Sequence, residues 1–311
     1  MTSSPDVASR TERAGLTGPM PLGFEEHEVA RGPYRIRARE YPGEEPTVVL
    51  LHGFPDNLHL YDRLVPHLAS RRVVAFDFLG WGASDKPAGY PYTATNQTGD
   101  LDAVIDQLGL EQVVLVAHDA SGPPAIDWAL AHPGRVAALV LLNTYYAWTP
   151  SLRRPEVIVL YSTPVLRNLA RFVVRRSDRL DRRLFAWQVG RFIRDDDVRR
   201  RLVPTLYEQF RAARSAFWRL NSDLLGTVLS RRRLLAKVRS FPRPVRIVFG
   251  AEDPYLNARV ARVFHTLFPN SELFLLDGAR HYVQVDEPDE VARLILNAPL
   301  GEPDPRPPAR R

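Results

Sequence analysis

The sequence predicts an α/β fold: a mostly parallel, twisted sheet with helices on both faces, interrupted by one block of helices. Three observations carry this. Short runs rich in Val, Ile and Leu alternate with segments of helical spacing between residues 47 and 142, and again from 245 onward. From 153 to 235 the alternation stops, leaving helical segments without a convincing strand. Charge changes there too. Residues 151–240 hold 22 Lys and Arg against 8 Asp and Glu, a net +14 in a chain whose total is +6, so the remainder carries −8.

The elements follow in order. Residues 1–23 are rich in Ser, Thr, Pro and charge, lack an apolar signal core and read as a flexible leader. Glu25 to Tyr41 alternates loosely and fits an antiparallel pair turned at Gly32-Pro33. Thr47–Leu51 is a strand running into His52-Gly53-Phe54-Pro55, and Leu58–Ala69 has helical spacing. Val73–Phe78 is a second buried strand, followed by Gly80-Trp81-Gly82. Ala94–Leu108 is a helix with Leu101, Val104, Ile105 and Leu108 on one face. Val113–Val116 is a strand, Ser121–Leu130 a helix whose first turn tolerates Pro123 and Pro124, and Val136–Leu142 another strand. Helical segments at Leu180–Ile193 and Val198–Leu220 fall in the inserted block; strands return at Val245–Gly250 and Leu273–Leu276. This divides the chain into a leader (1–23), an α/β core (24–146 and 241–298), a helical cap (147–240) and a proline-rich disordered tail (299–311). An insertion at that point lies over the carboxyl ends of the strands, where open α/β sheets bind ligands, so the cap reads as a lid.

Composition bounds the function. With 45% hydrophobic and 25% charged residues the chain is ordinary globular material, and no apolar run approaches the roughly 18 residues of a membrane span. A cytoplasmic protein is expected. The absence of cysteine excludes disulfides, thiolate nucleophiles and Cys-ligated metals. His52, His59, His67 and the run Asp195-Asp196-Asp197 lack metal-ligand spacing, so neither metal nor cofactor is implied. No nucleic-acid-binding motif accompanies the basic block, which argues against DNA or RNA as a partner. Its arginines read as solvated helix faces, or as attraction for an anionic substrate, carrier or surface. The expected partner is a small molecule, and oligomeric state leaves no signature.

The chemistry gathers around VVLVAHDASGPPAIDWAL, residues 113–130. A β-branched strand meets a helix at Asp119, with small residues, Ala117 and Ser121, two positions to either side. That is the spacing of a nucleophile elbow, with a carboxylate at the apex in place of a serine. Asp253 and His281 also stand just past predicted strands, giving the chain order nucleophile, acid, histidine. Singly, each has a plainer reading: a helix cap for Asp119, a turn opener for Asp253 before Pro254, a core or surface histidine for His281. All three at strand ends in this order favour catalysis. Ionised Asp119 would attack carbon to form an ester, and His281, oriented by Asp253, would activate the water that hydrolyses it. Backbone N–H groups of Phe54 and Ala120 would hold the oxyanion of the second step.

With LHGFP (51–55), DFLGWGASDKP (77–87), AHDASG (117–122), FGAED (249–253) and GARHYVQVDEPDEVA (278–292), the chain resembles the α/β-hydrolase superfamily over roughly residues 23–297. Within it the resemblance is to the aspartate-nucleophile branch of haloalkane dehalogenases and epoxide hydrolases, and it implies the same triad and the same oxyanion hole. DFLGWGASDKP looks more like the dehalogenases. Departures bear on the leaving group. Such dehalogenases commonly carry Trp after the nucleophile and Asn after His-Gly to hold a halide, whereas this chain has Ala120 and Phe54. Fluoroacetate dehalogenases share an HGFP-like loop but need arginine near the nucleophile, and Asp119 is followed by Ala-Ser-Gly-Pro-Pro. Epoxide hydrolases use two lid tyrosines as proton donors. Tyr145, Tyr161 and Tyr207 are candidates here, with Trp187 and Trp218 as indole donors. The resulting expectation is a hydrolase acting on an electrophilic carbon, epoxides before alkyl halides. Alternatives are a non-hydrolytic catalyst tailoring a natural product and a catalytically silent binding protein.

Overall fold

In the computed structural model, which describes residues 23–302, eight strands form one sheet. They are β1 (Glu25–Arg31), β2 (Tyr34–Tyr41), β3 (Glu44–Leu51), β4 (Arg71–Phe76), β5 (Val113–Asp119), β6 (Val136–Thr144), β7 (Val245–Gly250) and β8 (Ser271–Leu276). Across the sheet the order is β1-β2-β4-β3-β5-β6-β7-β8. β2 pairs antiparallel with β1 and β4, and all other pairs are parallel. The expected α/β architecture is therefore present. The chain leaves β3 for β4 and returns across β3 to β5, and this reversal opens a crevice at the carboxyl ends of β3 and β5.

The helices are α1 (Ala94–Gln107), α2 (Gly122–Ala131), α3 (Glu156–Ser162), α4 (Pro164–Arg176), α5 (Asp178–Gly190), α6 (Asp196–Ser230), α7 (Leu235–Val238), α8 (Ala258–Leu267), α9 (Val283–Asp286) and α10 (Pro288–Leu296). Strand side chains alternate between two cores. Val49, Leu51, Leu115, Ala117, Leu139 and Leu141 join Leu101, Val104 and Ile105 of α1 and Ile126 of α2. Their neighbours Val48, Leu50, Val116, Val140 and Leu142 join Val291 and Leu294 of α10. Burial on both faces explains why these strands read as unbroken apolar runs.

Two elements differ from expectation. Leu58–Ala69 is not one helix but two 3₁₀ turns, Leu58–Tyr61 and Val65–Leu68. Pro66 has no N–H to continue an α-helix, so Leu64 and His67 bond back three residues, to Tyr61 and Leu64. α6 runs through Pro204 and ends at Ser230, ten residues past the expected Leu220. Asp195 starts it by accepting the N–H groups of Asp197 and Val198.

Helices α3–α7 follow one another between β6 and β7. Tyr282 N–H donates to Phe192 O at 3.1 Å, and Arg194 N–H to Asp286 Oδ1 at 2.9 Å, tying the α5–α6 turn to the loop after β8 and to α9. At the other end Arg231 donates to Asp127 of α2 at 2.5 Å, and Tyr146 donates to the second oxygen of the same carboxylate at 2.8 Å. Most of the expected leader, and the tail from 303, lie outside the described residues. Of the tail, Gly301 N–H donates to Ala137 O at 2.8 Å, so that part runs along the end of the sheet.

Candidate active site

β5 ends in a tight turn that puts Asp119 in the left-handed region, φ 49°. That backbone costs a non-glycine residue about 1–3 kcal/mol and lifts its side chain off the sheet. Several contacts hold it there. The buried Ser121 hydroxyl lies 2.7 Å from the carbonyls of Leu51 and His118 and accepts the His118 N–H at 2.9 Å, so Ser121 is a strut between strands. Thr144 donates to the Asp119 carbonyl. A Cβ on Gly122 would run into Thr144 Oγ1, and one on Gly53 would lie 2.6 Å from Asp119 Cβ. Small residues are needed here because three pieces of backbone converge on the turn.

The Asp119 carboxylate meets two environments. Backbone N–H groups of Phe54, at 3.3 Å from Oδ2, and of Ala120 donate to it. Oδ1 lies 3.9 Å from His281 Nε2. His281 Nδ1 donates to Asp253 Oδ2 at 2.7 Å. Asp253 also accepts Asn143 Nδ2 at 2.9 Å and the backbone N–H groups of Tyr255 and Leu256 at 2.8 and 3.1 Å. The three residues named from sequence thus meet at one place, with the two expected N–H donors beside them.

Burial and charge set the protonation states. Burial pushes Asp253 up, but the charge of His281 and the hydrogen bonds it accepts outweigh this and hold it below the ordinary value. Burial likewise opposes a charged His281, yet Asp253, Asp119 and Asp56 raise its pKa to about 9. Asp119 itself is raised by burial, against the opposing pull of His281 and the Phe54 and Ala120 N–H groups. The carboxyl groups on either side thus favour the protonated form of His281.

Asp119 and His281 open onto a cavity that is partly open to solvent and walled mainly by apolar side chains, among them Phe54, Leu152, Ile158 and Phe185. Tyr145 and Tyr161 line it as well. Burial, then the charge of Asp119, raises the Tyr145 pKa and keeps its hydroxyl protonated. Tyr161 interacts through a hydrogen bond with Trp218 and is raised to about 12, chiefly by burial. The other three expected donors do not reach the cavity. Trp187 is exposed and stacks under Arg191, because it sits on the outer side of α5. Tyr207 turns away and donates to Asp181 Oδ2 at 3.0 Å. Trp218 packs behind Tyr161, ring centroids 6.0 Å apart.

Sequence reading missed several supporting groups. His118 Nε2 is 3.0 Å from the His281 carbonyl; a carbonyl only accepts, so this nitrogen carries the proton. Burial, then the charge of His281, holds His118 well below its ordinary pKa, as a neutral brace. Asn143 connects Asp253 to Gly250 N–H, which it accepts at 2.8 Å; the polar pair Asn143-Thr144 closing the apolar run of β6 was its signal. Asp56, in the loop after LHGFP, is buried against the Tyr282 hydroxyl and raised to about 7, chiefly by burial. Arg153 and Arg154 line the cavity from the segment before α3. Nothing in their spacing marks them.

The sequence and the fold are shared with known proteins. Haloalkane dehalogenase 2 of Mycobacterium tuberculosis is 26% identical over 267 residues, 82% of this chain and 88% of its own. A fluoroacetate dehalogenase from a Burkholderia species is 38% identical over 126 residues, 39% of this chain and 41% of its own. Among solved structures, a point variant of haloalkane dehalogenase DatA from Agrobacterium tumefaciens C58 superposes with a TM-score of 0.74 at 22% identity, covering 88% of this chain and 96% of that one. The alpha/beta hydrolase fold profile matches residues 46–288, well over half of the sequence, and the chain belongs to that family.

Proposed function

We propose that the protein hydrolyses a small molecule at an electrophilic carbon, an epoxide in preference to an alkyl halide, through an ester on Asp119, with residues 147–240 serving as the lid. The observation that supports this most is the Asp119 carboxylate itself. It sits at the apex of the turn in the cavity wall, with Oδ2 on the Phe54 N–H and Oδ1 toward His281.

In this reading Asp119 attacks the epoxide carbon, the C–O bond opens, and the new alkoxide takes a proton from Tyr145 or Tyr161. Esterification removes the Asp119 charge, so His281 loses one of the groups that raise its pKa. Its proton passes to the tyrosinate. Neutral His281, held by Asp253, then takes a proton from water as the hydroxide adds to the ester carbonyl. The Phe54 and Ala120 N–H groups stabilise the resulting oxyanion. On collapse the ester C–O bond breaks, the leaving oxygen takes the proton held by His281, and the new carboxyl returns one to His281, leaving the Asp119 carboxylate and a diol, so the sum is epoxide plus water.

Displacement of halide is the second reading. It draws on the names of the relatives and on Arg153 and Arg154 in the cavity wall, which would suit a halogenated carboxylate. One experiment tests both. The His281→Gln variant, incubated with epoxides, haloalkanes and haloacids, is read by intact mass and peptide mapping. A stable adduct on Asp119 is expected, and its mass names the leaving group. Turnover by the wild type with no adduct in the variant would refute the ester.

A further inference from the structure

A surface helix normally buries its apolar stripe and shows its charges. α4 does the reverse. Val165, Leu169 and Phe172, spaced i, i+4 and i+7, are 80%, 62% and 54% exposed, and Leu166 beside them is 42% exposed. On the side toward the protein, Ala170 is buried, half-buried Arg167 donates to Ser222 Oγ at 3.0 Å, and half-buried Arg171 stands 5.0 Å over the Trp218 ring. α5 continues the pattern. Leu180 and Trp187 lie outward, while Leu184, Phe185 and Gln188 turn into the cavity.

The rim of this apolar face is cationic. α4 contains four arginines and no acid. Arg176 lies 4.4 Å over the exposed Phe172 ring, and Arg179 and Arg183 are exposed one and two turns on. Nearby acids are already matched within the protein: Asp178 by Arg211, Asp181 by Arg214 and Glu208 by Arg182. Among the described residues no helix is long and apolar enough to cross a membrane.

We propose that α4, with the outer face of α5, docks the protein on an anionic lipid bilayer. Val165, Leu166, Leu169 and Phe172 enter the interface, and Arg176, Arg179 and Arg183 meet the lipid phosphates. Charge decides between this and a second copy of the chain. A two-fold interface would bring the same arginine rim to both partners, whereas an anionic surface neutralises it. Docking there leaves only the thickness of α5 between bilayer and cavity.

The test is co-sedimentation of the full chain with extruded vesicles, of phosphatidylcholine alone or with about one-third phosphatidylglycerol, at several salt concentrations. Binding to the anionic vesicles should exceed binding to neutral ones by about tenfold or more and weaken as salt rises. Replacing Leu169 and Phe172 together by Asp, or Arg176 and Arg179 by Glu, should each remove about nine-tenths of that binding, with circular dichroism unchanged. Absence of binding, or equal binding to neutral vesicles, overturns the proposal. So does a wild-type dimer in sedimentation velocity that the Asp pair dissolves. The wild-type vesicle comparison stands even if a variant fails to fold.

Discussion

Gly53→Ala tests whether the position of Asp119, beyond its presence, sets the rate of attack. Gly53 lies outside the left-handed region, so alanine strains nothing in its own backbone. The clash is with the proposed nucleophile: an added Cβ would sit 2.6 Å from Asp119 Cβ and 2.8 Å from Oδ2. Carbon atoms pack at about 3.5–4.0 Å, so one side must give by about 1 Å. The turn after β3 and the turn after β5 are both pinned, by Phe54 N–H and by Ser121, and the carboxylate is the softest part. A displacement of that size slows a positioned reaction by about a hundredfold, or about 2.7 kcal/mol of barrier. The assay is the rate of adduct formation on Asp119, by quenched intact mass, in His281→Gln with and without Gly53→Ala. Circular dichroism should be unchanged. Adduct formation within about threefold of the background would refute the positioning argument.

Three further outcomes are expected. His281 rises from its ordinary 6.5 to about 9 on folding. Its charged form therefore adds stability that is complete below pH 6.5 and is lost as pH climbs through 9, about 3 kcal/mol in all. Urea unfolding of wild type and His281→Gln from pH 6 to 10 should converge at the alkaline end, and parallel curves would count against it. Tyr145→Phe with Tyr161→Phe should slow ester formation from an epoxide by about a hundredfold while leaving a chloroalkane within a few fold, because only the alkoxide needs a proton. Arg231→Met strands a half-buried Asp127 and should cost about 2–4 kcal/mol in denaturant unfolding, less than a fully buried pair because Asp127 keeps some water. Adding Asp127→Asn should recover part of that loss.

That Asp119 would sit at the apex of a turn was legible because a strand-to-helix turn imposes a local spacing that survives without knowledge of the fold. Asp253 and His281 could be placed for a related reason: each follows a short apolar run, β-branched in β7 and rich in Leu and Phe in β8. Strand count and the two-faced burial came from the same periodicity. The cavity wall was not legible. Tyr161 and Tyr207 both read as tyrosines of the helical block, but only the mutual packing of α3, α5 and α6 turns the first inward and the second onto Asp181. Trp187 fails similarly, since one helix face cannot be told from the other without its neighbours. His118 acts on a group more than a hundred residues away in sequence, and no local pattern announces that contact.

The division of the Asp119 carboxylate between two environments has an isotopic consequence. Oδ2 takes the Phe54 N–H and Oδ1 lies toward His281, so an ester on Asp119, as proposed above, would form through Oδ1. Water would then add to the side-chain carbon, and the oxygen leaving with the alcohol would be the protein's own. In a single turnover in ¹⁸O-water the label would enter Asp119 and the product would stay unlabelled. Only a second turnover would carry the heavy atom out. The enzyme would hand over one oxygen per cycle and take it back from solvent.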